Sequence, residues 1–137
     1  MNEHETWFVN TFVLKEWRER FFTMLPREKS RRNAIHDLNG SRRLDDRKLE
    51  PIPKAHCRTA EDLTAYIQSK NPGTMCRIMS SDEYDEREVT VAEGVASAYY
   101  MGLHMVLLFY EQGWAYFQSE YLEEQYLLVN KTRKKPR

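Results

Sequence analysis

The chain has 137 residues, 41% of them hydrophobic and 12% aromatic, enough to bury a core without metal or disulfide staples and too apolar for a disordered chain. Lysine plus arginine and aspartate plus glutamate stand at 21 each, so no global field marks a nucleic acid or a membrane surface as partner. No apolar run reaches the roughly 18 residues of a bilayer span, and two cysteines make no disulfide framework.

The acidic start, Met1-Asn2-Glu3-His4-Glu5, lacks the basic region of an export signal, so reduced thiols and a cytoplasmic setting are the expectation. Charge is uneven along the chain. Residues 15–48 hold 11 basic and 6 acidic side chains, and residues 51–130 hold 5 basic and 12 acidic. Halves of opposite sign attract one another within one fold; the alternative is a basic N-terminal face offered to an anionic partner.

Residues 6–25 read as one helix. Trp7, Val13, Leu14, Trp17, Phe21, Met24 and Leu25 recur at intervals of three and four, Phe8 and Phe12 widen the stripe, and Lys15, Glu16, Arg18 and Glu19 fall mostly opposite. Thr6 is the expected N-cap and Pro26 the stop. A second helix is expected over 26–38, ended by Asn39-Gly40. Its apolar face is thin (Ala34, Ile35, Leu38) and Arg27, Lys29, Arg31 and Arg32 load one end, which makes it a surface helix.

Residues 41–50 are highly charged, and proline sterics extend Pro51-Ile52-Pro53. They read as a connecting arm with a short edge strand over 52–57. Thr59-Ala60-Glu61-Asp62 resembles a capping box and opens a helix buried through Leu63, Tyr66 and Ile67, which Asn71-Pro72-Gly73 ends. Residues 75–79 are a compact apolar strand, and 82–88 an acidic loop. Thr90-Val91-Ala92-Glu93 is a full capping box for a helix reaching Met101, with Gly102 at the C′ position.

Residues 103–117 organise the rest. Their apolar run is broken once, by Glu111-Gln112-Gly113, as two strands joined by a tight reversal would be. The first of those strands is apolar on both alternating sets, so it should be central and covered on both faces. Residues 119–124 are a polar connection, 125–130 a last strand, and 131–137 a basic tail expected to be mobile. The order gives one globular α+β domain over 1–130. It comprises a mixed or antiparallel sheet of about four strands, ending in a C-terminal hairpin and packed against three or four helices.

The segment Lys15-Glu16-Trp17-Arg18-Glu19-Arg20-Phe21, the helix start Pro26-Arg27-Glu28-Lys29, Pro51-Ile52-Pro53 and Gly113-Trp114-Ala115-Tyr116-Phe117 together resemble a group of small bacterial proteins with no established function. The resemblance spans most of the chain. It implies a single cytoplasmic domain and carries no activity with it.

His56-Cys57 is the one adjacent pair with the elements of nucleophilic catalysis, and Cys57 lies two residues before the Thr59 cap. Adjacent side chains on an extended segment point to opposite faces, which disfavours a direct pair. Cys76 falls inside a strand and reads as a core residue. The spacing of His56, Cys57 and Cys76 fits no zinc pattern, with His104 or His36 as a fourth ligand a guess, so no metal and no cofactor is expected. His104, at the head of the central strand, reads as a hydrogen-bonded structural residue. The loop 82–88 lacks the glycine and alternating ligands of a calcium loop and is expected to be solvated or to pair with the basic second helix; no phosphate-binding or hydrolase motif occurs.

What remains is surface charge. Arg27, Lys29, Arg31, Arg32, Arg42 and Arg43 are the candidates for an anionic partner, and Asp82, Glu83, Asp85 and Glu86 for a basic one. The leading expectation is a non-enzymatic interaction module whose charged surface and sheet edge engage another protein. The second is a nucleic-acid accessory protein using the basic second helix and tail, although interleaved acids weaken that field. The third is an enzyme built on His56 and Cys57.

Overall fold

A computed structural model describes residues 1–38, 41–70, 73–102 and 104–130. Five helices, α1 (Glu3–Phe12), α2 (Lys15–Met24), α3 (Glu28–Asp37), α4 (Ala60–Lys70) and α5 (Val91–Met101), accompany six strands. The strands are β1 (Leu49–Pro51), β2 (Met75–Met79), β3 (Glu88–Thr90), β4 (Met105–Phe109), β5 (Trp114–Gln118) and β6 (Gln125–Val129). They form one antiparallel sheet in the order β1-β6-β5-β4-β2-β3.

The α+β class holds, with more strands than the four expected. β4 is buried at all five positions and lies between β5 and β2. Gly113 takes φ +77° at the end of the reversal, the left-handed backbone that glycine adopts without a Cβ penalty. Alternation along β4 sends Val106 and Leu108 to one face, where Phe8, Phe12, Phe21 and Ile35 of α1–α3 cover them. Met105, Leu107 and Phe109 go to the other face, under Leu63, Ile67, Val91 and Val95 of α4 and α5. The sheet is thus filled in from both sides.

Three expectations are corrected. The helix expected over 6–25 is two helices. Val13 takes ψ 138° and bridges Leu44, Leu14 N–H donates to the Arg43 carbonyl (2.8 Å), and Asp45 N–H donates to the Phe12 carbonyl (2.8 Å). A crossing segment therefore takes the backbone groups that a continuous helix would have used. The N-cap is Asn2, whose Oδ1 accepts from Glu5 N–H (2.9 Å), rather than Thr6.

The edge strand lies at 49–51 instead of 52–57, where Lys54–His56 is a single 3-10 turn. Pairing with β6 lasts until Ile52 N–H donates to the Gln125 carbonyl (3.1 Å), and Pro53, which lacks an N–H donor, precedes the 3-10 turn. β3, unforeseen, is three residues pairing Val89 with Cys76. The stop expected at Asn39-Gly40, most of the turn at Asn71-Pro72 and the tail 131–137 lie outside the described residues.

α5 is held close to the sheet at Gly94, where a Cβ would come within 2.7 Å of Cys76 Sγ. Its capping box is formed, with Thr90 Oγ1 accepting from Glu93 N–H (3.1 Å) and Glu93 Oε1 accepting from Thr90 N–H (2.9 Å). Gly102 closes it at φ +64°. Tyr99 Oη donates to the carbonyls of Cys57 (3.0 Å) and Arg58 (2.8 Å), which places the last turn of α5 beside the start of α4. The two helices run antiparallel.

Candidate functional site

The residues expected to carry chemistry are distributed among several places. Cys57 ends the 3-10 turn, and its thiol donates to the Pro53 carbonyl (3.6 Å). Burial pushes that thiol above its ordinary pKa, against an opposing pull from Lys54, which is the reverse of what a nucleophile requires. The His56 ring instead lies against Tyr66, centroids 4.6 Å apart. Cys76 is a core residue whose thiol burial pushes up to about 12. Among the described residues no three His, Cys, Asp or Glu side chains converge as metal ligands.

His104 differs from its expectation. It is 2% exposed, and neither ring nitrogen has a hydrogen-bond partner among the described residues. Its ring meets that of His36 edge to face, centroids 4.1 Å apart. Burial, helped by the neighbouring His36, keeps its pKa below the ordinary histidine value, with Glu120 opposing.

The two charge groups expected to face partners meet each other. Arg31 Nη1 donates to Glu5 Oε1 (2.9 Å) and Nη2 to Glu5 Oε2, while Nε donates to Asp85 Oδ2 (2.6 Å) and Nη2 to Asp85 Oδ1 (3.0 Å). Side-chain exposure is 12% for Arg31, 0% for Glu5 and 18% for Asp85. Burial alone would lower the Arg31 pKa, but the hydrogen bonds and charges of the two carboxylates outweigh it and raise the pKa instead. Asp85 also accepts from Ser80 N–H (3.0 Å), so the β2–β3 loop is pinned across α3 to α1.

Other members of those sets are engaged as well. Arg43 lies over the Trp17 ring, 3.8 Å from its centroid, and 3.4 Å from Asp37. Asp82 Oδ1 accepts from Ser80 Oγ (2.6 Å) and Tyr84 N–H (2.9 Å), closing the loop on itself. Arg27, Lys29, Arg32 and Arg42 are exposed and form no ion pair among the described residues, and Glu83 and Glu86 are exposed too. The halves of opposite sign are therefore joined at Arg31 and Asp85, and four of the six candidate cations stay on the surface.

A hollow that the sequence did not single out lies on the far side of the sheet. Ala60, Thr64 and Ala65 of α4 and Ala92 and Ala96 of α5 line a groove of about 490 Å³, with Glu61, Gln68 and Glu93 as its polar members. Thr64 Oγ1 donates back to the Ala60 carbonyl (2.8 Å), so its hydroxyl proton is already engaged. Hydrogen bonds from Thr90 hold the Glu93 carboxyl below its ordinary pKa, so it is ionised at neutral pH. By comparison, the hollow beside Arg31 and Ser80 is about 150 Å³, one lined by Leu14, Arg42, Leu44 and Tyr126 about 390 Å³, and one beside His56 and Tyr66 about 350 Å³.

The sheet offers little at its margins. Both edge strands are three residues long, and β1 ends in proline, which are features that blunt edge pairing. Among the described residues no helix is long and apolar enough to cross a membrane. No family model matches the chain, and no curated protein or solved structure shows significant similarity to it, so the resemblance drawn from segment order gains no support there.

Proposed function

We propose that this chain is a non-enzymatic cytoplasmic protein-interaction module, and that the outer face of α4 and α5 is where its partner seats. One observation carries the reading: the α4–α5 groove is concave, and four of its eight lining residues are alanines, with no histidine, cysteine or lysine among them. The sheet edge, part of the original expectation, is the weaker surface because both edges are short. The enzyme alternative loses ground with a Cys57 thiol that burial makes less acidic and that has His56 turned to Tyr66.

Site-specific photocrosslinking in cells tests it. A benzophenone amino acid at Ala65 or Ala92 is expected to capture one and the same protein, and the same group at Lys29 on α3 is not. Capture at Lys29 alone, or no discrete adduct at either groove position, overturns the assignment of the surface.

A further inference from the structure

The groove also indicates what fills it. Resting on the α4–α5 reading above, we propose that the occupant is a basic amphipathic α-helix of another protein. It lies along the groove with a small or leucine-rich seam inward and its lysines or arginines beside Glu61 and Glu93. The first reason is backbone chemistry. The walls are two helices whose interior N–H and C=O groups are already paired, so an extended peptide would bury its own polar backbone without partners. A helix arrives with that backbone satisfied.

The second reason is size. Ala65, Ala92 and Ala96 have no side chain beyond Cβ, so a third helix can approach at the short end of the 8–10 Å range of interaxial distances. From Ala60 to Gln68 the groove follows α4 for about 12 Å at 1.5 Å per residue, which is about two turns of an occupant. The third reason is charge. The ionisable side chains lining the groove are Glu61 and Glu93, and no Lys, Arg or His lines it. Glu61 stands in the first turn of α4 and Glu93 in the first turn of α5, so the antiparallel pair sets one carboxylate near each end. A second copy of this chain would bring glutamates against glutamates across a two-fold axis, which disfavours it as the occupant.

The test uses the full chain and two designed helical peptides with the same Ala/Leu seam, one flanked by Lys and one by Glu, followed by ¹⁵N chemical-shift titration and fluorescence anisotropy. The Lys-flanked peptide is expected to bind more tightly, to shift amides of α4 and α5, and to weaken at about 1 M salt, where the screening length falls to about 3 Å. Glu61→Gln with Glu93→Gln, which keeps the capping geometry, should cost about 2- to 30-fold in affinity, as two exposed charge pairs are worth.

Ala92→Trp should block the groove against either peptide while circular dichroism shows the fold intact. Preference for the Glu-flanked peptide overturns the basic class and leaves the groove as the docking face. Binding of the Lys-flanked peptide unaffected by Ala92→Trp, shifts confined to α3, or no binding of either peptide overturns the docking face itself. A dimer in sedimentation that Ala92→Trp dissociates overturns the foreign helix in favour of a second copy.

Discussion

Replacing Arg31 by alanine should be among the most damaging single changes in the molecule. Arg31 makes paired contacts to Glu5 and to Asp85 and a further one to the Leu25 carbonyl (3.2 Å). Without it, Glu5 keeps a carboxylate with 0% of its side chain exposed and no countercharge. Breaking a buried pair in this way costs about 3–5 kcal/mol, because the remaining ion keeps its desolvation penalty. That is about a fifth or more of the roughly 5–15 kcal/mol by which domains are stable, and corresponds to a fall in melting temperature on the order of 10 °C.

Removing both partners separates attraction from desolvation. In Glu5→Leu with Arg31→Met no buried charge is stranded at α1, and Asp85 retains the Ser80 N–H and its contact with solvent. The double variant should therefore recover most of the loss, to within about 1–2 kcal/mol of the parent. Urea unfolding followed by circular dichroism, with the denaturant slope checked for constancy, measures both. A loss below about 1 kcal/mol for Arg31→Ala, or a double variant as unstable as the single one, would refute the claim that burial of Glu5 sets the cost.

His104 gives the chain an acid-sensitive limb. Its folded pKa is depressed, so the unfolded chain binds the proton more readily. The contribution is therefore fully present above the unfolded value of about 6.5 and declines as pH falls below it, until the folded value is passed. His104→Leu should flatten the fall in stability below about pH 6.5, and an unchanged slope would rule His104 out as its source. Gly94→Ala should destabilise by about 1–3 kcal/mol through overpacking against Cys76 Sγ at 2.7 Å, and adding Cys76→Ala should restore part of it; urea midpoints decide. In the native protein Cys57 should react with a thiol reagent at pH 7 more slowly than free cysteine, and Cys76 only on unfolding, whereas fast labelling of Cys57 would revive the enzyme reading.

Most of what was legible in the sequence is local. The Thr90–Glu93 box, Gly102 and Gly113 act within a few residues of themselves, and each forms as its spacing dictates. The run Met75–Met79 is a strand with the expected bounds. The break at Val13 is not written in the pattern, because the apolar stripe continues through it; it comes from the 43–45 segment, some thirty residues on. Likewise Glu5 reads only as part of an acidic chain start, and the 82–88 loop as solvated or paired with the basic second helix. That one residue, Arg31, holds both Glu5 and Asp85 shows only in contacts across 26 and 54 residues. The groove left a trace in Ala60, Thr64 and Gln68 and in Ala92 and Ala96, each four apart. Alanine at such spacing also suits any helix, so the trace could not be told from propensity.

The fold itself narrows where recognition can occur. Both faces of the sheet are covered, one by α1–α3 and the other by α4 and α5, and both edges are too short to template another strand. On the α1–α3 side, part of the charge is consumed in ion pairs at Arg31 and Arg43. The cations remaining there, Arg27, Lys29, Arg32 and Arg42, are exposed, and exposed ion pairs are each worth about 1 kcal/mol or less. The α4–α5 side differs in kind. Closeness there comes from residues that do not protrude, so a partner gains contact area without first displacing side chains or ordering long ones. On the reading proposed above, a surface that binds through shape needs few charges, and two glutamates at opposite ends would favour a basic helix over an acidic one.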